Sequence, residues 1–140
     1  MKFVLDNSVT MRWFFGDGKS KDLNYAKDVL EAMRRASAIV PAIWGLEVSN
    51  VISKAEAKGL VTEARSSIFL EMLKELDIEA DVQTYARSLD DILNLARRYG
   101  LSAYDASYLE LAMRENLSLA TLDEDLIKAA KKAGTKVYYI

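Results

Sequence analysis

The chain has 140 residues, a net charge of −2, a pI near 5.3, and 51% hydrophobic against 29% charged residues. That is enough for one domain (1–140) with a real core, and its slight acidity argues against a non-specific nucleic-acid coat, which works by neutralising phosphates with Lys and Arg. Cysteine and histidine are both absent, which excludes thiol catalysis, zinc–thiolate and imidazole-ligated sites and Ser-His-Asp chemistry, so any hydrolysis must use carboxylates, hydroxyls, lysines or a hard ion held by oxygen.

Lys2–Leu5 reads as a short apolar strand. Asp6 and Asn7 interrupt anything resembling a signal-peptide core, and no apolar run approaches the ~20 residues of a membrane span, so a cytoplasmic protein without membrane contact is expected. Ser8–Phe15 is predicted helical, ending at the turn GDGKS. From Lys21 to Arg35 the positions Leu23, Ala26, Val29, Leu30 and Met33 have helical spacing. SAIV before Pro41 is a strand candidate, Ile43–Lys58 a helix stopped by Gly59, and Thr62 opens a helix to about Leu76. DIEA reads as a short strand and Val82–Tyr99 as one helix ended by Gly100. A helix from Ser102 to about Glu115, the strand LSLAT, a helix over Asp125–Ala133 closed by Gly134, and a final strand KVYYI complete the chain. Short apolar strands alternating with amphipathic helices predict a parallel sheet covered on both sides, an α/β/α sandwich. In such sheets the functional crevice lies beyond the carboxyl ends of the strands, near a reversal of strand order.

The residues following strands therefore carry the interest. Asp6 reads either as the N-cap of the next helix or as a ligand in an acidic site. Asp105 fits a capping box opened by Ser102, and Asp123 fits a first-turn acid in a box opened by Thr121. Glu47 shares a helical stripe with apolar Ile43 and Val51, where a carboxylate is costly unless paired or bound to an ion; a solvated flank is the alternative. Taken jointly, several carboxylates in one small space would repel one another unless a cation compensates, and an oxygen-only donor set selects Mg²⁺ or Mn²⁺. Arg12, Lys19, Lys21, Arg34, Arg35, Arg97, Arg98 and Arg114 are scattered and read as solvated charge rather than a phosphate grip. Trp13, Phe14 and Phe15 read as core.

The stretches VLDNSVTMRWFF, VPAIWGLEVSNVISKAEAKGL, YGLSAYDASYLELAM and LSLATLDEDLIKAAKKAG resemble, in order and over essentially the whole chain, the PIN domain, in particular VapC-type toxins of toxin–antitoxin pairs. The resemblance implies a PIN-like three-layer sandwich and an endoribonuclease whose acidic pocket holds Mg²⁺ or Mn²⁺. It places the acids at Asp6, Glu47, Asp105 and Asp123, with Asp125 the other candidate for the last. Ser8, Asn50 and Thr121 match supporting polar positions. Asn7 stands where the family usually has Ala or Thr, without implied loss of function. It further implies in-line attack of an activated water on RNA phosphorus, leaving 5′-phosphate and 3′-hydroxyl ends, a homodimer, and a small antitoxin protein seated in the active-site groove. A PIN-like domain that binds RNA or a partner without cutting is the alternative. Aspartyl phosphotransfer is disfavoured, because the second acid it wants two residues after Asp6 is Ser8.

Overall fold

The first apolar run forms strand β1 (Lys2–Leu5) in the computed structural model, which describes residues 1–139. β1 pairs in parallel with β2 (Ser37–Val40) on one side and β4 (Leu119–Ala120) on the other, and β3 (Ile78–Ala80) pairs in parallel with β2, giving the order β3-β2-β1-β4. Helices α1 (Asn7–Phe14) and α2 (Ser20–Ala32) link β1 to β2; α3 (Trp44–Ala57) and α4 (Glu63–Glu75) link β2 to β3. After β3 come α5 (Thr84–Arg87), a π-helical turn over Ser88–Ile92, α6 (Leu93–Tyr99) and α7 (Ala103–Glu115), and α8 (Glu124–Ala133) follows β4.

Strand side chains alternate between two faces, and the core divides accordingly. Val4, Ile39 and Leu119 pack against Tyr108, Leu109 and Leu111 of α7 and Leu126, Ala129 and Ala130 of α8. Phe3, Leu5, Ala38, Val40 and Ala120 face the opposite way, onto Val9 of α1 and Ala26 and Val29 of α2. The result is the expected three-layer α/β/α sandwich. A third cluster of Met11, Val48, Ile52, Phe69 and Leu73 joins α1, α3 and α4, with Trp13, Phe14 and Phe15 packed against it as a core reading requires. Among the described residues no helix is long and apolar enough to cross a membrane.

Two expected elements differ. Val82–Tyr99 is helical only from Thr84, because the Thr84 hydroxyl is held between the Ala42 amide (3.0 Å) and the Asp81 carboxylate (3.1 Å), and the π turn interrupts the regular winding. KVYYI is reduced to a single parallel bridge between Leu119 and Val137, with Ile140 outside the described residues. Tyr138 instead stacks on Phe3 with centroids 4.3 Å apart, and its carbonyl accepts from the Tyr25 hydroxyl rather than from a strand.

The chain steps outward from β1 to β2 to β3 and then returns to the other side of β1 for β4. The reversal falls between β1 and β4, and it is there that a crevice opens beyond the strand ends.

Candidate active site

β1 and β4 run in register, Val4 beside Leu119 and Leu5 beside Ala120. One step further, the Asp6 amide donates to the Ala120 carbonyl (2.9 Å), and the Asp6 side chain meets Thr121. Asp6 Oδ2 accepts from Thr121 Oγ1 (2.8 Å) and from Ser8 Oγ (2.6 Å). Ser8 Oγ also accepts from the Leu122 amide (3.0 Å), and Thr121 Oγ1 from the Asp123 amide (3.0 Å), so two hydroxyls stitch the turn after β1 to the turn after β4. The residue is only 4% exposed. The capping role is not borne out: Asp6 occupies the N-cap position of α1 but makes no side-chain cap bond, and both of its side-chain hydrogen bonds go to Oδ2.

Glu47 lies in the first turn of α3, half-buried rather than on a solvated flank. Its Oε1 accepts from the Tyr108 hydroxyl at 2.5 Å. Asp105 lies in the first turn of α7, half-buried; the Ser102 hydroxyl accepts from the Asp105 amide (3.1 Å), one arm of the predicted capping box. Asp123 is itself the N-cap of α8, its Oδ1 accepting from the Leu126 amide (2.9 Å), which corrects the box assigned to Thr121. Asp125 and Asn50 are exposed, and Asn50 makes no side-chain hydrogen bond among the described residues.

The acids feel one another. Burial, opposed by the two hydroxyl bonds and reinforced by the charges of Glu47 and Asp123, raises the Asp6 carboxyl to about 6 from an ordinary 3.8. Asp105 also rises to about 6, through burial and then the charges of Asp123, Asp6 and, more weakly, Asp125. Glu47 is raised by burial, opposed by the Tyr108 bond, with Asp105 adding repulsion. Burial and the charges of Asp6 and Glu47 push the Tyr108 phenol far above its usual range, so it keeps its proton and donates it to Glu47. Asp6, Glu47, Asp105 and Asp123 therefore share one electrostatic environment.

None of these four acids is in an ion pair among the described residues. A second acidic group in the same fold is treated differently. Asp81, just beyond β3, and Glu110 of α7 both pair with Arg114, at 2.6 and 2.8 Å. Burial raises Asp81, but the Arg114 and Thr84 bonds outweigh it and leave the carboxyl below its usual range. Arg114 is thus no solvated charge, and Arg12 is likewise committed, to the backbone and carboxylate of Asp17 (2.6 and 2.7 Å).

The donor set suits a hard divalent ion: carboxylate oxygens without competing nitrogen, sulfur or ammonium. Asn7 Oδ1, one residue from Asp6, is buried and unpartnered, a further free oxygen. Among the described residues no three carboxylates are gathered tightly enough to grip an ion as they stand; uncompensated carboxylates repel, and a cation would have to draw them inward. The residue that sequence reasoning missed is Tyr108. Its signal lay one turn after Asp105, on the same face of α7.

A family model described as PIN domain matches residues 3–132. The chain is 30% identical to Ribonuclease VapC3 of Pyrobaculum aerophilum over 126 residues, 90% of this chain and 92% of that one. Similar solved structures include PAE2754 from Pyrobaculum aerophilum (TM-score 0.66, 23% identity, 92% of this chain and 87% of that one). VapBC2 from Rickettsia felis bound to a DNA fragment from their promoter is alike at a TM-score of 0.65 and 17% identity, over 99% and 98% of the two chains. FitAcB from Neisseria gonorrhoeae gives 0.62 and 18%, over 99% and 97%. At these identities the structures carry the fold.

Proposed function

We propose that this chain, which belongs to the PIN domain family, is an endoribonuclease dependent on Mg²⁺ or Mn²⁺ and the toxin of a toxin–antitoxin pair. One observation carries the reading. The fold gives its Asp81–Glu110 group an arginine but leaves Asp6, Glu47, Asp105 and Asp123, at the strand-order reversal, without an ion-pair partner among the described residues, their hydrogen bonds there coming from neutral hydroxyls and amides. Net negative charge left uncompensated in a partly buried crevice is costly, and a bound cation offsets that cost. The similarity to Ribonuclease VapC3 supports RNA as the substrate.

Asp6, Glu47 and Asp105 would hold the ion directly or through water, with Asp123 completing the set or serving a second ion. When bound, such an ion neutralises charge on the scissile phosphate and makes water acidic enough to attack at neutral pH. The protein's own contribution is placement. Ser8 and Thr121 fix Asp6 Oδ2, leaving Oδ1 without a hydrogen-bond partner among the described residues. Asp105 is half-buried, and its raised affinity for protons comes from burial and the neighbouring acids, so a bound cation would lower it and keep the carboxylate ionised as a ligand. In-line attack on phosphorus with loss of the 3′ oxygen leaves 5′-phosphate and 3′-hydroxyl ends.

A VapB-like antitoxin seated over the crevice is the expected protein partner, in keeping with the pair named for the Rickettsia felis structure. The chain is further read as a homodimer in the cytoplasm. Leu46, Val82, Tyr85, Leu89 and Tyr104 are exposed on α3, the β3–α5 connection, α5, the π turn and α7. Leu46, Tyr85 and Tyr104 line a groove while Val82 and Leu89 project outside its lining, and a self-complementary contact requires both a groove and projecting side chains. The test of function is expression of the wild type beside Asp6→Asn with 5′-end mapping of cellular RNA. New 5′-phosphate ends with the wild type alone are expected; full cleavage by Asp6→Asn with Mg²⁺ present refutes the assignment.

A further inference from the structure

The Tyr108 hydroxyl stands where three acid-bearing elements meet. Its ring is 0% exposed and packs with Val4, Leu109, Leu111 and Leu119 in the core beneath the sheet. Its oxygen reaches out of that core to Glu47 Oε1 on α3 at 2.5 Å. The backbone amide of Asn7, next to Asp6, approaches the same oxygen. Tyr108 itself follows Asp105 by three residues, so one helical turn supplies both an acid and the group that holds another.

Glu47 needs such a restraint. A glutamate has three side-chain torsions, and ordering one costs up to about 2 kcal/mol of rotamer entropy. Asp6, shorter by a torsion, is held by two hydroxyls, whereas the Tyr108 bond is the one side-chain hydrogen bond made by Glu47 among the described residues. A buried ring cannot swing away with its partner, so Oε1 is fixed in place and Oε2 is left for the crevice.

We propose that Tyr108 is a positioning residue that sets the orientation of Glu47 toward the ion and the RNA. The inference rests on the nuclease reading above, and it goes beyond it in assigning a role to a tyrosine outside the acid set. Groups that orient a ligand typically cost about 10–100-fold in metal affinity or activity when removed. A packing role predicts no such loss from Tyr108→Phe, which keeps the ring.

The experiment titrates Mn²⁺ into the wild type, Tyr108→Phe, Glu47→Ala and the double variant, reading free Mn²⁺ by electron paramagnetic resonance, with thermal unfolding in EDTA as a check on folding. Tyr108→Phe should unfold near the wild-type temperature and bind Mn²⁺ about 10-fold more weakly. In the Glu47→Ala background the same change should add no further loss, since a residue acting through Glu47 has nothing left to position. Mn²⁺ affinity in Tyr108→Phe within twofold of wild type overturns the inference, as does an equal loss in both backgrounds. Should Tyr108→Phe unfold, Tyr108→Leu, which keeps an apolar side chain in the core without the hydroxyl, must show the weaker binding, and wild-type affinity there overturns it equally. A wild type that neither binds Mn²⁺ nor cuts cellular RNA fails the nuclease reading itself and takes this inference with it; a competent wild type beside an indifferent Tyr108→Phe fails this inference alone.

Discussion

Asp6 holds its proton more tightly in the fold, at about 6, than in the unfolded chain, near 3.8. Between those values the native state carries more protons, so the stability this residue contributes declines as pH rises from about 4 to about 6 and then levels. Asp6→Asn removes the ionisable group while keeping an acceptor for Ser8 and Thr121. In EDTA its stability relative to wild type should therefore rise across that window, by roughly 2–3 kcal/mol, measured by urea unfolding at pH 4 and pH 7.5. A difference that does not change with pH would show that Asp6 titrates normally. That Asp6 follows a strand was legible from the apolar run before it. That its side chain is held by Thr121 was not, because that hydroxyl lies 115 residues away and leaves no trace in local spacing.

Helix α7 ties the acid crevice to the rest of the fold. Its first turn carries Asp105, its second Tyr108, and further along it Arg114 bridges Glu110 of the same helix to Asp81 beyond β3. Removing one partner of a buried ion network leaves the others uncompensated, typically at a cost of about 3–5 kcal/mol. Arg114→Met strands Asp81 and Glu110, both under 10% exposed, and should lose about that much stability at pH 7.5 by urea unfolding; a loss below about 1 kcal/mol would mean the two acids find other partners. The i,i+4 spacing of Glu110 and Arg114 could be read from the sequence, but the third member could not, since it arrives from another strand. The π turn within Val82–Tyr99 was equally hidden: its residues keep a helical pattern, and what anchors the start at Thr84 is the tertiary bond to Asp81 and Ala42.

For the molecule as a whole, the pattern of strands and helices was enough to specify layers, and the position of acids after strands was enough to specify where to look. Strand order, the reduced last strand and the hydroxyl network required the folded chain. A cation that binds only the native state raises its stability by about 2.7 kcal/mol at a hundred times its dissociation constant. Mg²⁺ or Mn²⁺ should therefore raise the unfolding temperature of the wild type and leave that of Asp6→Asn nearly unchanged; an equal rise in both would place the ion elsewhere. The exposed apolar surface around Leu89 makes a prediction at the same scale. Leu89→Asp should sediment as a monomer where the wild type sediments as a dimer, and an unaltered dimer would move the contact to another face.

The pairing of β1 with β4 also governs when a nuclease can first exist. Asp6 leaves the ribosome well before its neighbours across the seam, Thr121 and Asp123, because Thr121 follows it by 115 residues. Translation delivers about 5–20 residues per second, so for several seconds the nascent polypeptide carries the first acid without its hydroxyl support or its companions. A site built across this seam stays incomplete until the residues that follow β4 have been translated.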